Sequence, residues 1–150
     1  MGILLSLSFL SQAATLELTQ GRDSRIPIAI VKFTGPANIS KVIQNDLNHV
    51  GQFIVHFQET GNLPHTADAV IPGFWRDAGV NDVIVGQAKP LANGQYRVTF
   101  SLIDLFNQSG ADSNPVLVSK SYTVAKQQLR QVAHAISDAI YYQLTGKSGA

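Results

Sequence analysis

Histidine has the side chain whose ordinary pKa lies closest to neutrality, so acid–base or metal chemistry is sought first at this chain's four histidines. His49, His56 and His65 fall at a helix end, on a strand and in a loop. No two of them share the i, i+4 spacing that lets one helix face offer two imidazoles to a metal. His134 has closer company. Arg130, His134 and Asp138 follow one another at i, i+4, i+8, with Lys126, Ser137 and Tyr141 alongside. At roughly 100° per residue this stripe lies opposite the apolar stripe centred on Ile136 and Ile140. A cation, an imidazole and a carboxylate in a row could move protons, and a small hydrolase centred on His134 is the enzymatic reading. Such chemistry wants a concave, desolvated setting, whereas a stripe turned from the core reads as a solvated face or a docking surface. The chain has no cysteine, which excludes disulfides, thiolate zinc sites and cysteine nucleophiles. It also has no GxSxG elbow, Walker loop or GxGxxG turn between a strand and a helix. The sequence therefore assigns no catalytic residue, no metal ligand and no cofactor.

The elements that would carry these side chains follow from hydrophobic periodicity. Thr15–Thr19 alternates polar and apolar, as a short half-buried strand does, and Gln20–Ser24 breaks it with turn residues. Ile28–Phe33 is almost continuously apolar, the mark of a strand covered on both faces, with Pro27 at its tolerated first position. Ile39, Val42, Ile43, Leu47 and Val50 recur at helical spacing, interrupted on the same side by Asp46, with Asn38 placed to cap the start and Gly51 the end. Phe53–Phe57 is a short strand. Pro72 opens a two-turn helix that Gly79 closes, and its Phe74–Trp75 pair reads as core. Asp82–Gly86 is a second buried strand, and Asn93-Gly94 is a hairpin signal introducing the alternating run around Tyr96–Leu102. After a polar loop, Val116–Val124 is the last strand. A helix from about Ala125 to Leu144 follows, stopped by Gly146. The fold class is α+β: a mixed sheet of five or six strands with two main helices packed on it.

Composition narrows the partners. The formal net charge is +1 and the basic residues are scattered, so no surface attracts nucleic acid or anionic lipid. Ile3–Leu10 is uncharged and apolar, and Ser11 and Ala13 supply small residues at the −3 and −1 positions of a signal-peptidase site. The run is shorter than the stretch of about 20 residues that spans a bilayer. Residues 1–13 accordingly read as a signal peptide without its usual basic start, and the mature protein as exported with no membrane insertion of its own.

Several segments in one order resemble the amino-terminal domain of the TolB family. Gly21-Arg22-Asp23-Ser24 followed by Pro27–Phe33 is similar to a GxDS segment leading into a PIxVVPF-type strand. The likeness continues through Asp46-Leu47, Gly51-Gln52-Phe53 and Trp75 to Gly79–Gly86. It extends to Tyr122, Val124, Lys126-Gln127, Leu129-Arg130, His134, Ser137-Asp138 and Leu144-Thr145-Gly146. Lys32 departs from the family's proline.

The resemblance implies a non-enzymatic periplasmic adaptor of the Tol-Pal system, which supports outer-membrane integrity and cell division. It implies that residues 14–25 form an exchangeable strand or tail before the domain of residues 26–146. It also implies that residues 147–150 start a linker to a β-propeller absent from this sequence. The partner expected at the amino-terminal strand is TolA, through Thr15, Leu16, Glu17, Leu18, Thr19, Gln20, Gly21, Arg22 and Asp23. Pal is expected mainly on the propeller. Physically, a strand with Leu16 and Leu18 on one face can add to a partner's exposed sheet edge, with Gly21 as hinge. The alternatives are an edge strand that never leaves its own sheet, and a stand-alone periplasmic binding module using the Arg130/His134/Asp138 face or the 58–71 loop.

Overall fold

The structure, a computed structural model, describes residues 24–106 and 116–146. The leader and the Thr15–Asp23 segment lie outside the described residues. Strands β1 (Ile26–Val31), β2 (Phe53–Gln58), β3 (Asp82–Pro90), β4 (Gln95–Asp104) and β5 (Val116–Ala125) form one mixed sheet in the order β2-β1-β3-β4-β5. Helices α1 (Ile39–His49), α2 (Pro72–Asp77) and α3 (Leu129–Thr145) complete the α+β architecture.

β1 runs parallel to both of its neighbours, with Ile28 opposite Val55 on one side and Asp82 on the other. Parallel neighbours need crossovers, and crossovers are right-handed. The chain steps from β1 outward to β2 through α1, then back across β1 to β3 through α2. The reversed step places α2 on the opposite face, and two cores result. On the first face Ile28, Ile30, Ile84, Phe100 and Leu102 pack with Ile39, Ile43 and Leu47 of α1 and Leu129, Ile136 and Ile140 of α3. On the second, Ala29, Val31, Val83, Val85 and Ile103 pack with Trp75, Val70 and Val80. Burying side chains of this size contributes roughly 1.5–3 kcal/mol each.

Three local details depart from the sequence reading. Asn38 makes no side-chain cap; instead buried Ser40 accepts the Phe33 N–H at 2.9 Å, tying the start of α1 to the end of β1. Trp75 is buried, but Phe74 is 61% exposed and meets it only edge-on, with ring centroids 5.1 Å apart. A six-residue helix packed by one face has room inside for one of two successive rings. Ser137 lies buried on the inner face of α3, its hydroxyl donating to Ala133 O at 3.0 Å, and not on the polar stripe. The hairpin signal is realised with Asn93 at φ 66° and Gly94 at φ 71°, the left-handed conformations these two residues tolerate best.

Gly86 is where the sheet meets Phe33. A Cβ there would fall 2.6 Å from Thr99 O and collide with the Phe33 ring. Gly86→Ala should therefore destabilise the domain by about 2–3 kcal/mol, read as a lower urea midpoint with an unchanged slope. A midpoint equal to that of the parent would contradict this packing.

Candidate functional site

The histidines are separate from one another. His49 and His56 are exposed, and His65 is half-buried with an Nδ1 that has no partner among the described residues. No group of three or more potential metal ligands occurs among the described residues. The Arg130–His134–Asp138 row does not act as a row. His134 Nδ1 lies 2.7 Å from Asp46 Oδ2, so the contact crosses from α3 to α1 and leaves Arg130 and Asp138 in solvent. This explains the polar interruption in the apolar stripe of α1, because Asp46 borders the helix–helix seam and its carboxylate meets an imidazole there. The His134 side chain is 47% exposed and Asp46 30%. The pair sits on an open seam, and neither of the two concavities described below is lined by it. What the arrangement can do is pin two helices together, an exposed contact worth roughly 1 kcal/mol or less.

Among the described residues, two concavities stand out. One, about 440 Å³, lies between the 58–71 loop and α2, walled by Gln58, Leu63, Pro64, Ile71, Phe74 and Trp75. Ile71 is 70% exposed beside it. The second, about 450 Å³, lies at the end of the sheet where β1 begins and α3 finishes, walled by Ile26, Asn81, Asp82, Asp104, Phe106, Leu117 and Leu144. Asp82 and Asp104 are cross-strand partners in the β3–β4 ladder. Burial, with the charge of Asp104 adding to it, pushes the Asp82 carboxyl up to about 7. Sequence reading takes Asp82 only as the first residue of a strand. The signal that could have found the pair is the Asn-Gly hairpin, whose register sets Asp104 opposite Asp82.

The nine positions expected to bind a partner, Thr15–Asp23, lie outside the described residues. The domain they precede is well anchored where it begins, because the Ile26 N–H donates to Gln52 O at 3.0 Å and the Asn81 N–H to Pro27 O at 2.8 Å. No helix among the described residues is long and apolar enough to cross a membrane.

Fold and site together define a small α+β domain whose accessible chemistry, among the described residues, lies in surfaces and shallow crevices. The profile of the TolB amino-terminal domain matches residues 14–111. The chain is 44% identical to the Tol-Pal system protein TolB of Coxiella burnetii, an alignment covering 91% of this chain and 32% of that protein. Its structure is similar to the crystal structure of TolB from Acinetobacter baumannii, with a TM-score of 0.68 and 32% identity, over 85% of this chain and 30% of that one. This chain belongs to the TolB amino-terminal domain family. It spans about a third of the length of these relatives.

The Asp82 environment makes a pH prediction. Its folded-state pKa, about 7, stands above the ordinary 3.8, so the folded protein holds this proton more tightly than the unfolded chain. Between those values the unfolded state binds fewer protons. Stability from this group is therefore greatest in acid and falls as pH rises toward 7. Asp82→Asn should flatten that slope in urea denaturation and stabilise the domain at pH 8 by on the order of 2 kcal/mol, less than full burial implies because the crevice opens to water. An unchanged slope would show that the carboxyl is not strained.

Proposed function

We propose that this chain is a non-enzymatic periplasmic adaptor of the Tol-Pal system that binds TolA through the strand Thr15–Asp23, with Pal engaged mainly by a propeller outside this sequence. The observation that carries the reading is the family match itself. It begins at residue 14, where the signal-peptide expectation ends, and so takes in the whole candidate strand. The adaptor joins in supporting envelope integrity and cell division without chemistry of its own. The His134–Asp46 contact joins α3 to α1 on an open seam.

The physical mechanism is strand addition. Thr15–Thr19 alternates, with Leu16 and Leu18 on one face, so main-chain hydrogen bonds to a partner's sheet edge would supply affinity and the leucines register. The segment precedes β1, whose first residue donates its N–H to Gln52 O. A second reading, a binding module that uses the groove between the 58–71 loop and α2, draws on exposed Ile71 and Phe74.

A pull-down against the carboxy-terminal domain of TolA separates the two. Residues 14–150 should retain TolA, and a version starting at Ile26 should lose it while keeping the same thermal transition. Equal capture by both versions contradicts strand addition. Capture that Phe74→Ser abolishes and truncation spares would move the site to the groove.

A further inference from the structure

The β3–β4–β5 meander gathers charge that the sequence scatters. From Gln87 to Ile103 and from Val116 to Gln128 the chain carries Lys89, Arg97, Lys120 and Lys126 and no carboxylate. Lys89 and Arg97 stand opposite each other in the β3–β4 ladder. Thr123 of β5 continues that row, and Lys126 follows the last residue of β5. All four cations are exposed, and none has an ion-pair partner among the described residues. Like charges set opposite one another in a ladder are unfavourable, so this part of the sheet is short of negative charge.

β5 also has a free edge. Among the described residues it is last in the sheet order and pairs only with β4. Its ten residues, about 33 Å of strand, turn every second N–H and C=O outward. The register with β4 is regular from Val118 to Ala125, because the irregularity falls between Leu102 and Ile103. The other edge strand, β2, has six residues and no Lys, Arg, Asp or Glu. Lys120 stands near the middle of β5, opposite buried Phe100 and so on the helix side of the sheet, between Val118 and Tyr122.

An edge of this length is a template for another strand, and the charges say which. If two copies paired antiparallel along β5, the cations of one would approach those of the other, with no carboxylate in either strand to answer them. A lysine in mid-strand is one of the ways an edge is guarded against its own kind. An acidic strand reverses the sign. A carboxylate opposite Lys120 makes a favourable cross-strand pair, and Lys89, Arg97 and Lys126 add a field that draws the strand in. A polynucleotide or an anionic lipid surface would meet the same charges but leave the main-chain groups of the edge without strand partners.

We propose that the outer edge of β5 receives an extended acidic segment of a partner protein, added as a further strand with a carboxylate opposite Lys120. The inference does not depend on the adaptor reading.

The test follows backbone amide NMR shifts of the full chain titrated with a capped ten-residue peptide in which glutamate alternates with threonine. Two control peptides accompany it, one with lysine in place of glutamate and one N-methylated throughout so that its backbone cannot donate. Saturable shifts along Ser119–Ala125 are expected with the glutamate peptide, about tenfold tighter than with the lysine peptide and absent with the N-methylated one. Lys120→Glu should weaken the glutamate peptide about fivefold and strengthen the lysine peptide, with the thermal transition unchanged. The proposal is overturned if the shifts fall on β2 or α2 instead, if the N-methylated peptide binds equally well, or if Lys120→Glu leaves both affinities as they were. It is also overturned if a ten-nucleotide oligothymidylate or phosphatidylglycerol vesicles move the β5 amides at lower concentration than the glutamate peptide does. Sedimentation that shows a dimer whose β5 amides are already protected would give the edge to a second copy and overturn it as well.

Discussion

Everything in this domain is arranged around β1. It is paired along both edges, to β2 and β3, and four of its six residues are buried, on both faces of the sheet. A strand so placed cannot shift register by one residue without exchanging the contents of two cores. Its parallel partners, combined with the handedness of crossovers, send α1 and α2 to opposite faces. The β3–β4–β5 meander then extends the sheet on one side, and α3 returns beside α1 to close the first core.

The same arrangement decides where binding can occur. β1 begins at Ile26, beside Leu144 in the last turn of α3 and the paired carboxyls of β3 and β4. One end of the sheet thus gathers the start of β1, the Asp82–Asp104 pair and an apolar wall. The opposite face offers something different, a groove under α2 with Ile71 and Phe74 left in solvent. The seam between α1 and α3 is polar and occupied by its own His134–Asp46 contact.

Much of the fold was legible because the signals were local. The apolar run before Phe33, the Asn93-Gly94 turn, Pro72 and Gly79 around the short helix, and the Leu129–Ile140 stripe each specify an element by nearest-neighbour physics. Most element bounds moved by a residue or two; α3 begins at Leu129, after a 3-10 turn over Lys126–Gln128, four residues later than expected. β3 proved longer than its apolar half, running on to Pro90 as the partner of Tyr96. What escaped was whatever depends on two distant segments meeting. His134 has Arg130 and Asp138 as sequence neighbours, yet its partner is Asp46 on another helix. Asp82 reads as a strand's polar first residue until the hairpin register sets Asp104 across from it. Phe74 and Trp75 are equally apolar as letters, and the geometry of a six-residue helix sends one inward and one out.

The central claim is that the segment ahead of β1 is the part that changes partners while the sheet behind it stays fixed. Amide hydrogen exchange of residues 14–150, free and with the TolA carboxy-terminal domain, tests it most directly. The account predicts protection gained at Leu16–Gln20 on binding, with β1 from Ile28 to Val31 unchanged and already slow in both states. Protection gained instead along α3 or around Phe74, with Leu16–Gln20 exchanging as fast as before, would contradict it.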